Sequence, residues 1–402
     1  MQFALVLISF LIPNCLVAVD DKPGFRETGM LIYDALVQGH PVRCLVDTGT
    51  NHGGTVDASV CQLKVPRDSK LINIQTSTSR LERPVIDNVS IAFNGGPTAV
   101  VSVDAADLSP LYQVSGQEIG AIVGIDVLRD LVLTIRGGEA NFVKSVPETF
   151  FGTDVTQIPY SNRSLAELPA RLPALGTHNF ILDTGCNMCL IITDDLAQSL
   201  VRSKRAVYSI QQLGVDPEGS HTYREIIVKD IDVSGVVFQN VPATIGRFNC
   251  IGMGLLTQLN MAVDFRKQRI YLDTISSTPF SELPLNATGI QFLYVSNKAI
   301  RVGAIREDSP GSKADVQPQD EVLSIDGKTP ADLLPLNELM KIVSREGQTI
   351  HIELRRSGLV YGVDLTLKRN FEYPPKWAER PAEESEFLEF VEKTEQTEKE
   401  SQ

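Results

Sequence analysis

Histidine, tryptophan and clusters of basic residues are scarce in this chain of 402 residues, which argues against metal and nucleic-acid binding. The five histidines show no metal-ligand spacing, and the single tryptophan, Trp377, lies in an acidic C-terminal segment. Lysine and arginine form no cluster and the formal net charge is −13, which argues against nucleic acid as a partner, because phosphate binding needs concentrated positive charge. The sequence predicts no cofactor and no metal site.

Long apolar segments are also missing, except at the N-terminus. Residues 3–19 are largely apolar but short for a membrane span, which needs about 20 apolar residues. We interpret residues 1–19 as a secretory signal peptide cleaved near Ala18, with a lipoprotein signal ending at Cys15 as the less favoured alternative. The predicted location is therefore exported, either periplasmic or secreted, or tethered to a membrane through an uncleaved N-terminus.

Cysteine is sparse as well. Loss of Cys15 with a signal peptide would leave five cysteines, and an odd number cannot all pair within one chain. Cys186 and Cys189 have a spacing found in redox and zinc sites, but no second Cys or His pair accompanies them. We therefore expect small buried thiols, with at most one disulfide, rather than metal ligands.

The most informative feature that is present is one tripeptide, Asp-Thr-Gly, which occurs twice. The first copy starts at Asp47 and the second at Asp183, and each follows an apolar, strand-like run. One copy would be weak evidence, because these are common turn residues. Two copies predict two similar lobes that each deliver one carboxylate to a shared site. Two carboxylates held close together cannot both ionise easily, so the pair shares a proton and can act as general base and general acid.

Matching series of predicted elements follow the two tripeptides, which indicates an internal duplication. The first series consists of an extended hairpin at 66–84, a hairpin around the Asn94-Gly95 turn, an apolar-Gly segment at 121–128 and a closing strand at 131–135. The second consists of a hairpin at 209–228, a turn at Ser234-Gly235, an apolar-Gly segment at 250–256 and a strand at 261–265. Both series are rich in β-branched residues, so each half is predicted to be β.

The tripeptides and the apolar-Gly segments together resemble the retropepsin-like aspartic proteases. This resemblance covers about residues 29–273 and implies a mostly β fold, with two β-barrel lobes forming a single-chain pseudo-dimer. It implies that Asp47 and Asp183 form a catalytic dyad, and that the hairpins at 66–84 and 209–228 are flaps over the substrate. The residues implied to brace the two loops and to permit their tight turns are Thr48, Thr184, Gly49 and Gly185.

One position departs from that family pattern. The residue after the tripeptide is usually Ser, Thr or Ala, and Thr50 fits this rule, whereas Cys186 does not. Cysteine is similar in size, so the fold should tolerate it. Its weaker hydrogen bond is expected to alter the pKa of the second carboxylate.

The C-terminal part of the chain resembles a PDZ domain, an α+β partly open barrel. The run 316–328, with Asp320 and the pair Asp326-Gly327, is similar to the corresponding run of bacterial PDZ domains. The resemblance implies a loop whose backbone N–H groups bind a peptide carboxylate, formed by Gly289, Ile290, Gln291 and Phe292. PDZ domains bind extended peptides by adding a strand to a sheet edge.

These observations predict one domain plan and one leading function. The plan is a signal peptide at 1–19, a first protease-like lobe at 20–145, a second at 146–273, a linker at 274–287, a PDZ domain at 288–371 and an acidic, disordered tail at 372–402. The predicted function is an aspartic endopeptidase that acts on protein or peptide substrates, with a PDZ domain that binds C-terminal peptides. No integral membrane span is expected after signal removal.

Two alternatives remain at this point. The chain could be a catalytically inactive, protease-like scaffold with a PDZ domain that binds peptides, although both intact tripeptides argue against it. A glycosidase with two carboxylates is disfavoured, because sugar sites usually contain stacking aromatic residues. Asp126 and Asp264, which also lie near the apolar-Gly segments, and His52 are expected to be ordinary loop or strand-end residues rather than catalytic groups.

Overall fold

The structure of the protein is a computed structural model. The structure describes residues 4–5, 10–11, 31–76, 80–93, 98–115, 117–136, 139–146, 150–151, 155–160, 165–216, 219–274, 286–296, 299–305, 309–333 and 336–368. The predicted acidic tail, the Asn94-Gly95 turn, and most of the predicted signal peptide and linker lie outside these residues. In the part of the chain that is described, no helix combines the length and apolar character that a membrane span requires.

The first lobe is a closed β-barrel. Two short N-terminal strands, β1 (Ala4–Leu5) and β2 (Phe10–Leu11), precede β3 (Ile32–Val37), β4 (His40–Val46), β5 (Gly54–Val56), β6 (Leu71–Gln75), β7 (Arg80–Phe93), β8 (Thr98–Ala105), a 3-10 turn (Ser109–Leu111), α1 (Tyr112–Ser115), β9 (Ala121–Val123), α2 (Ile125–Leu128), β10 (Val132–Arg136) and β11 (Glu139–Val143). Six strands close in the order β7-β3-β4-β9-β5-β8, with β8 pairing back onto β7.

The second lobe repeats this barrel. Its elements are β12 (Val155–Pro159), β13 (Glu167–Leu172), β14 (Gly176–Asp183), β15 (Leu190–Thr193), α3 (Asp194–Arg202), β16 (Ala206–Asp216), β17 (Gly219–Val233), β18 (Val236–Gly246), β19 (Cys250–Gly252), α4 (Met253–Leu256), β20 (Asn260–Asp264) and β21 (Arg269–Asp273). Six strands close in the order β13-β14-β19-β15-β18-β17, with β17 pairing back onto β13. The predicted two-barrel fold is confirmed.

Local sequence explains both the strands and their turns. In β13 the buried residues are Leu168, Ala170 and Leu172, and their alternation is the period of a strand with one face in the core. The turn between β17 and β18 places Ser234 at φ 50° and Gly235 at φ 104°. Two successive positive φ values fit the right-handed twist of a tight hairpin, which is why a small residue and a glycine occupy the turn.

A shared sheet joins the two lobes. Its five strands lie in the order β11-β10-β20-β21-β12, so the closing strands of the two halves, β10 and β20, are direct antiparallel neighbours. Leu133 lies opposite Val263, and Ile135 lies opposite Met261. All four side chains are buried in one apolar cluster that extends through both lobes. The halves therefore form one pseudo-dimeric body.

The third unit is a PDZ domain with its own core. Its elements are β22 (Ile290–Ser296), β23 (Ala299–Ile305), α5 (Pro310–Lys313), β24 (Glu321–Ile325), α6 (Leu336–Val343), β25 (Thr349–Arg356) and β26 (Leu359–Thr366). The strands pair in sequence order, which makes β22 an edge strand within the described sheet. Asp320 is buried and accepts hydrogen bonds from Arg356 at 2.7 Å and Tyr361 at 2.7 Å. These contacts give a structural role to Asp320, which the sequence analysis singled out in the PDZ-like run.

Candidate functional site

Each Asp-Thr-Gly loop is held by a parallel pair of strands. In lobe 1 β4 pairs with β9, and in lobe 2 β14 pairs with β19, with Asp183 opposite Gly252. Gly252 and its counterpart Gly124 have no room for a side chain, because a Cβ atom would lie 2.4 Å from the Met188 carbonyl oxygen and 2.0 Å from the His52 carbonyl oxygen, respectively. The apolar-Gly segments therefore support the two loops by close backbone contact.

The two loops are tied to each other by reciprocal threonine hydrogen bonds. The Thr48 hydroxyl donates to the Leu182 carbonyl at 2.7 Å and accepts from the Thr184 N–H at 3.1 Å. The Thr184 hydroxyl donates to the Val46 carbonyl at 2.8 Å and accepts from the Thr48 N–H at 3.1 Å. Both side chains are buried, so this arrangement satisfies groups that would otherwise be unpaired in the core.

The loops bring two fully buried carboxyl groups together. Asp47 Oδ1 accepts from the Gly49 N–H at 2.7 Å, and Asp47 Oδ2 accepts from the Thr50 hydroxyl at 2.7 Å. Asp183 Oδ1 accepts from the Gly185 N–H at 2.9 Å. A Cβ atom on Gly185 would lie 2.6 Å from Asp47 Cγ, so the backbone of one loop lies directly against the carboxyl group of the other.

The two carboxyl groups differ in their surroundings. Burial raises the pKa of Asp47 to about 6, and the hydrogen bonds from Thr50 and Gly49 limit that rise because they stabilise the ionised form. Burial raises the pKa of Asp183 well above its usual value, and the charge of the neighbouring Asp47 raises it further. Asp183 Oδ2 has no hydroxyl or amide donor among the described residues. Asp47 is therefore the carboxyl group that ionises first.

A buried polar network beside the first loop was not predicted from the sequence. Asp104 is fully buried and lies 2.7 Å from His52 Nε2, 3.1 Å from Arg83 Nη1 and 3.0 Å from the Thr55 hydroxyl. Its partners are far away along the chain, so no local motif indicates them. His52 lies in a loop, as expected, and is in addition an ion-pair or hydrogen-bond partner of Asp104. Arg83 lies on β7 and links the adjoining hairpin to the barrel.

The structure forms hairpins in both segments that were predicted as flaps. Strand β6 pairs with β7 from Leu71 opposite Pro84 onward, and β16 pairs with β17 out to Asp216 opposite Gly219. The N-terminal strands join these hairpins: β1 pairs in parallel with β6, and β2 pairs antiparallel with β16. An outer strand of each hairpin therefore accepts an extended segment of chain.

The predicted carboxylate loop lies in the PDZ domain, separate from the two aspartates. Gly289 has φ 68°, a backbone conformation that favours glycine. The Ile290 N–H donates to the Thr288 hydroxyl at 2.9 Å. In this conformation it is therefore not free to bind a peptide carboxylate in the predicted loop. The pairing of β22 with β23 shifts register between Ile290 and Phe292, which places Gln291 at an irregular position in the strand.

Lobe 1 packs against the PDZ edge strand. The short helix α1 lies against β22, and its Tyr112 packs on the PDZ core. In return, Leu293 of β22 packs on a lobe-1 cluster that contains Leu108, Leu111 and Ile74. Ile74 belongs to β6, so the same apolar cluster connects the PDZ strand to the first hairpin.

Comparison with known proteins identifies one part of the chain. Residues 287–367 match the family model described as PDZ domain, in agreement with the predicted unit at 288–371. A PDZ domain is a module that binds peptides or proteins. No curated protein matches the chain.

The threonine bracing gives a first testable prediction. Thr48→Val removes one hydroxyl but leaves the Leu182 carbonyl and the Thr184 N–H buried without a partner, so we expect a loss of about 2–5 kcal/mol in the free energy of unfolding. Thr134→Val is the matched control, because its hydroxyl makes one hydrogen bond, to the Asn141 carbonyl at 3.1 Å. Chemical denaturation should show that the control loses about 1 kcal/mol in the free energy of unfolding. Equal losses for the two variants would contradict the bracing role.

The buried carboxyl pair gives a second prediction, about stability and pH. Because the folded pKa of Asp47 is raised, the folded protein holds a proton that the unfolded chain releases between about pH 4 and pH 6. The unfolding free energy of the wild type should therefore fall with rising pH, relative to the Asp47→Asn/Asp183→Asn double variant, by at least about 2 kcal/mol between pH 4 and pH 7. A difference that stays constant or grows with pH would show that the carboxyl groups are not held in this buried pair.

Proposed function

We propose that the two barrels form an aspartic endopeptidase and that the PDZ domain binds C-terminal segments of proteins or peptides. The observation that carries the proposal is the meeting of Asp47 and Asp183, fully buried, on two loops that brace each other. A pair of carboxyl groups with raised pKa values in one site is suited to general acid–base chemistry near neutral pH. We further propose export of the protein, directed by residues 1–19.

The asymmetry of the pair assigns the two roles. Asp47 accepts two hydrogen bonds that favour its ionised form and therefore acts as the general base. Asp183 accepts one backbone hydrogen bond and remains protonated, so it acts as the general acid. Thr50 and Cys186 occupy equivalent places in the two loops, and Thr50 donates to Asp47 whereas Asp183 Oδ2 accepts no such hydrogen bond.

The reaction needs no covalent intermediate with the enzyme. Asp47 takes a proton from a water molecule as the water oxygen attacks the scissile carbonyl carbon, and the Asp183 proton hydrogen-bonds the oxygen that becomes negatively charged. The tetrahedral intermediate then breaks its C–N bond, and the proton taken from water passes to the leaving amine. The pair ends the cycle with the single shared proton with which it began.

The two hairpins are the proposed flaps, and they would hold substrate as an extended strand. Both β6 and β16 pair with extended segments of residues 1–19, at Ala4–Leu5 and Phe10–Leu11, and cleavage of the proposed signal peptide would free both strands. Strand addition of this kind supplies backbone hydrogen bonds that do not depend on substrate sequence. The proposed substrate is therefore an unfolded or extended polypeptide.

Cleavage of unstructured peptides tests the proteolytic function. The wild type should cleave, whereas Asp47→Asn and Asp183→Asn should each lower kcat/KM by about 100-fold or more, because each removes one half of the acid–base pair. On the acid side, activity should be half-maximal near pH 6, where Asp47 loses its proton, and activity should fall again at a higher pH as Asp183 ionises.

The complete burial of the pair places the acid limb of the pH profile above the range of unperturbed carboxyl groups. Arg129→Ala is a suitable control, because Arg129 pairs with the partly exposed Asp126 on the surface. Full activity in either Asp→Asn variant would contradict the shared dyad. No cleavage by folded wild type would favour the inactive peptide-binding scaffold.

Peptide binding by the PDZ domain is tested separately. The full chain should bind peptides that have a free C-terminal carboxylate, selected from a peptide library. It should not bind the amidated forms of the same peptides, because the proposed loop recognises the carboxylate. Gly289→Val should weaken binding, since a β-branched residue strains at φ 68°. Gly358→Val is the matched control, because Gly358 has φ 86° in the β25–β26 turn, at the opposite end of the sheet from β22. Equal binding by both variants would contradict the assigned loop.

A further inference from the structure

Asp183 also belongs to a second group of reactive side chains, which contains two cysteines. The carboxyl of Asp183 and the thiols of Cys186 and Cys250 are all buried, and their oxygen and sulfur atoms lie within 4.8 Å of one another. Cys186 belongs to the loop that follows the second tripeptide, and Cys250 begins β19, which pairs with β14 beneath that loop. The fold thus assembles a set of ligand atoms that are far apart in the sequence.

The described residues of lobe 1 form no equivalent of this group. There the hydroxyl of Thr50 donates to Asp47 Oδ2, and the strand position that corresponds to Cys250 is occupied by the buried side chain of Ile122. In lobe 2 the hydroxyl is replaced by a thiol, and Asp183 Oδ2 is fully buried. The Asp183 carboxyl interacts with that of Asp47, but its Oδ2 accepts no hydroxyl or amide hydrogen bond among the described residues, so a cation beside the two thiols would give this buried oxygen a partner.

We propose that Asp183, Cys186 and Cys250 form a binding site for a thiophilic divalent cation of the zinc class. Two sulfur ligands and one carboxylate oxygen are a donor set that zinc accepts, with a fourth position left for water. In tetrahedral zinc coordination the ligand atoms are about 3.6–3.8 Å apart, given metal–ligand distances of about 2.0–2.3 Å. The three ligand atoms lie within 4.8 Å of one another, and binding would bring them to those separations.

The balance of the binding step is simple. Each thiol releases its proton to solvent as its sulfur binds the cation, and Asp183 binds through its carboxylate, releasing its own proton when it carries one. No oxidant or reductant is involved. The sequence did not predict this site, because Cys186 and Cys189 supply the recognisable spacing, whereas the proposed ligand Cys250 lies on a distant strand.

Cation binding has a consequence that rests on the proposed proteolytic function. A carboxylate that is bound to a cation cannot hold the proton that the general acid must present to the substrate carbonyl. Occupation of the site should therefore inhibit cleavage, and removal of the cation with a chelator should restore it. The binding itself does not depend on whether the protein is a protease.

Titration of the reduced, full-length protein with Cd²⁺ tests the site, with Zn²⁺ as competitor. We expect one ion per chain by native mass spectrometry and a thiolate-to-cadmium charge-transfer absorption that Zn²⁺ displaces. Cys186→Thr and Cys250→Ala should remove this absorption and weaken Cd²⁺ binding by about tenfold or more, since each variant deletes a ligand. Asp183→Asn should weaken binding as well, with less effect on the absorption because both thiolates remain.

The controls separate a specific site from general thiol binding and from loss of folding. Cys44→Ala removes a buried thiol of lobe 1 that lies near Cys61, outside the proposed ligand group, and should leave Cd²⁺ binding unchanged. Cys186→Thr copies the residue that lobe 1 already has at this place, and its thermal unfolding should match the wild type. Absence of the absorption in folded wild type, or its persistence in the Cys186→Thr and Cys250→Ala variants, would overturn the proposal. Peptide cleavage without Cd²⁺ binding would reject the cation site alone.

Discussion

The reciprocal hydrogen bonds between Thr48 and Thr184 are the interaction on which the candidate site depends. Each hydroxyl donates to a carbonyl of the opposite strand, so each loop is braced by the other. The shared sheet and the continuous apolar core fix the two barrels in the orientation that this contact requires. Two carboxyl groups can then be buried next to each other. Because burial of a charged group costs free energy, the surrounding structure must supply the stability for this arrangement.

The two Asp-Thr-Gly loops share one backbone arrangement but differ in their side chains. The two loops repeat the same strand pairing and the same close glycine contacts, and this repetition positions the carboxyl groups. Burial raises the pKa of both groups, and the hydroxyl of Thr50 favours the ionised form of Asp47 alone, so Asp47 ionises before Asp183. Cys186 also contributes one of the two thiols in the buried group of lobe 2, and Cys250, in place of Ile122 of lobe 1, contributes the other. The difference between Thr50 and Cys186 thus relates to both proposals.

Local patterns predicted most of the fold but little of the polar network. The repeated tripeptide, the β-branched strands and the Ser234-Gly235 turn report interactions between near neighbours, and the structure has strands and a turn where they were expected. Contacts between distant residues leave no such signal. The ion pair of Asp104 with Arg83, the approach of Cys250 to Asp183 and the packing of Tyr112 on the PDZ core all arise from the closure of the barrels and the docking of domains.

The most direct test of a shared carboxyl pair is a titration of the aspartate side chains by NMR, with ¹³C-labelled aspartate and the two single Asp→Asn variants for assignment. The account predicts two separated steps for the pair in the wild type, the first near pH 6 and the second at a higher pH, because the carboxyl groups share one proton. Each single variant should show one of these carboxyl signals. Independent titration of both groups near pH 4 would contradict the account.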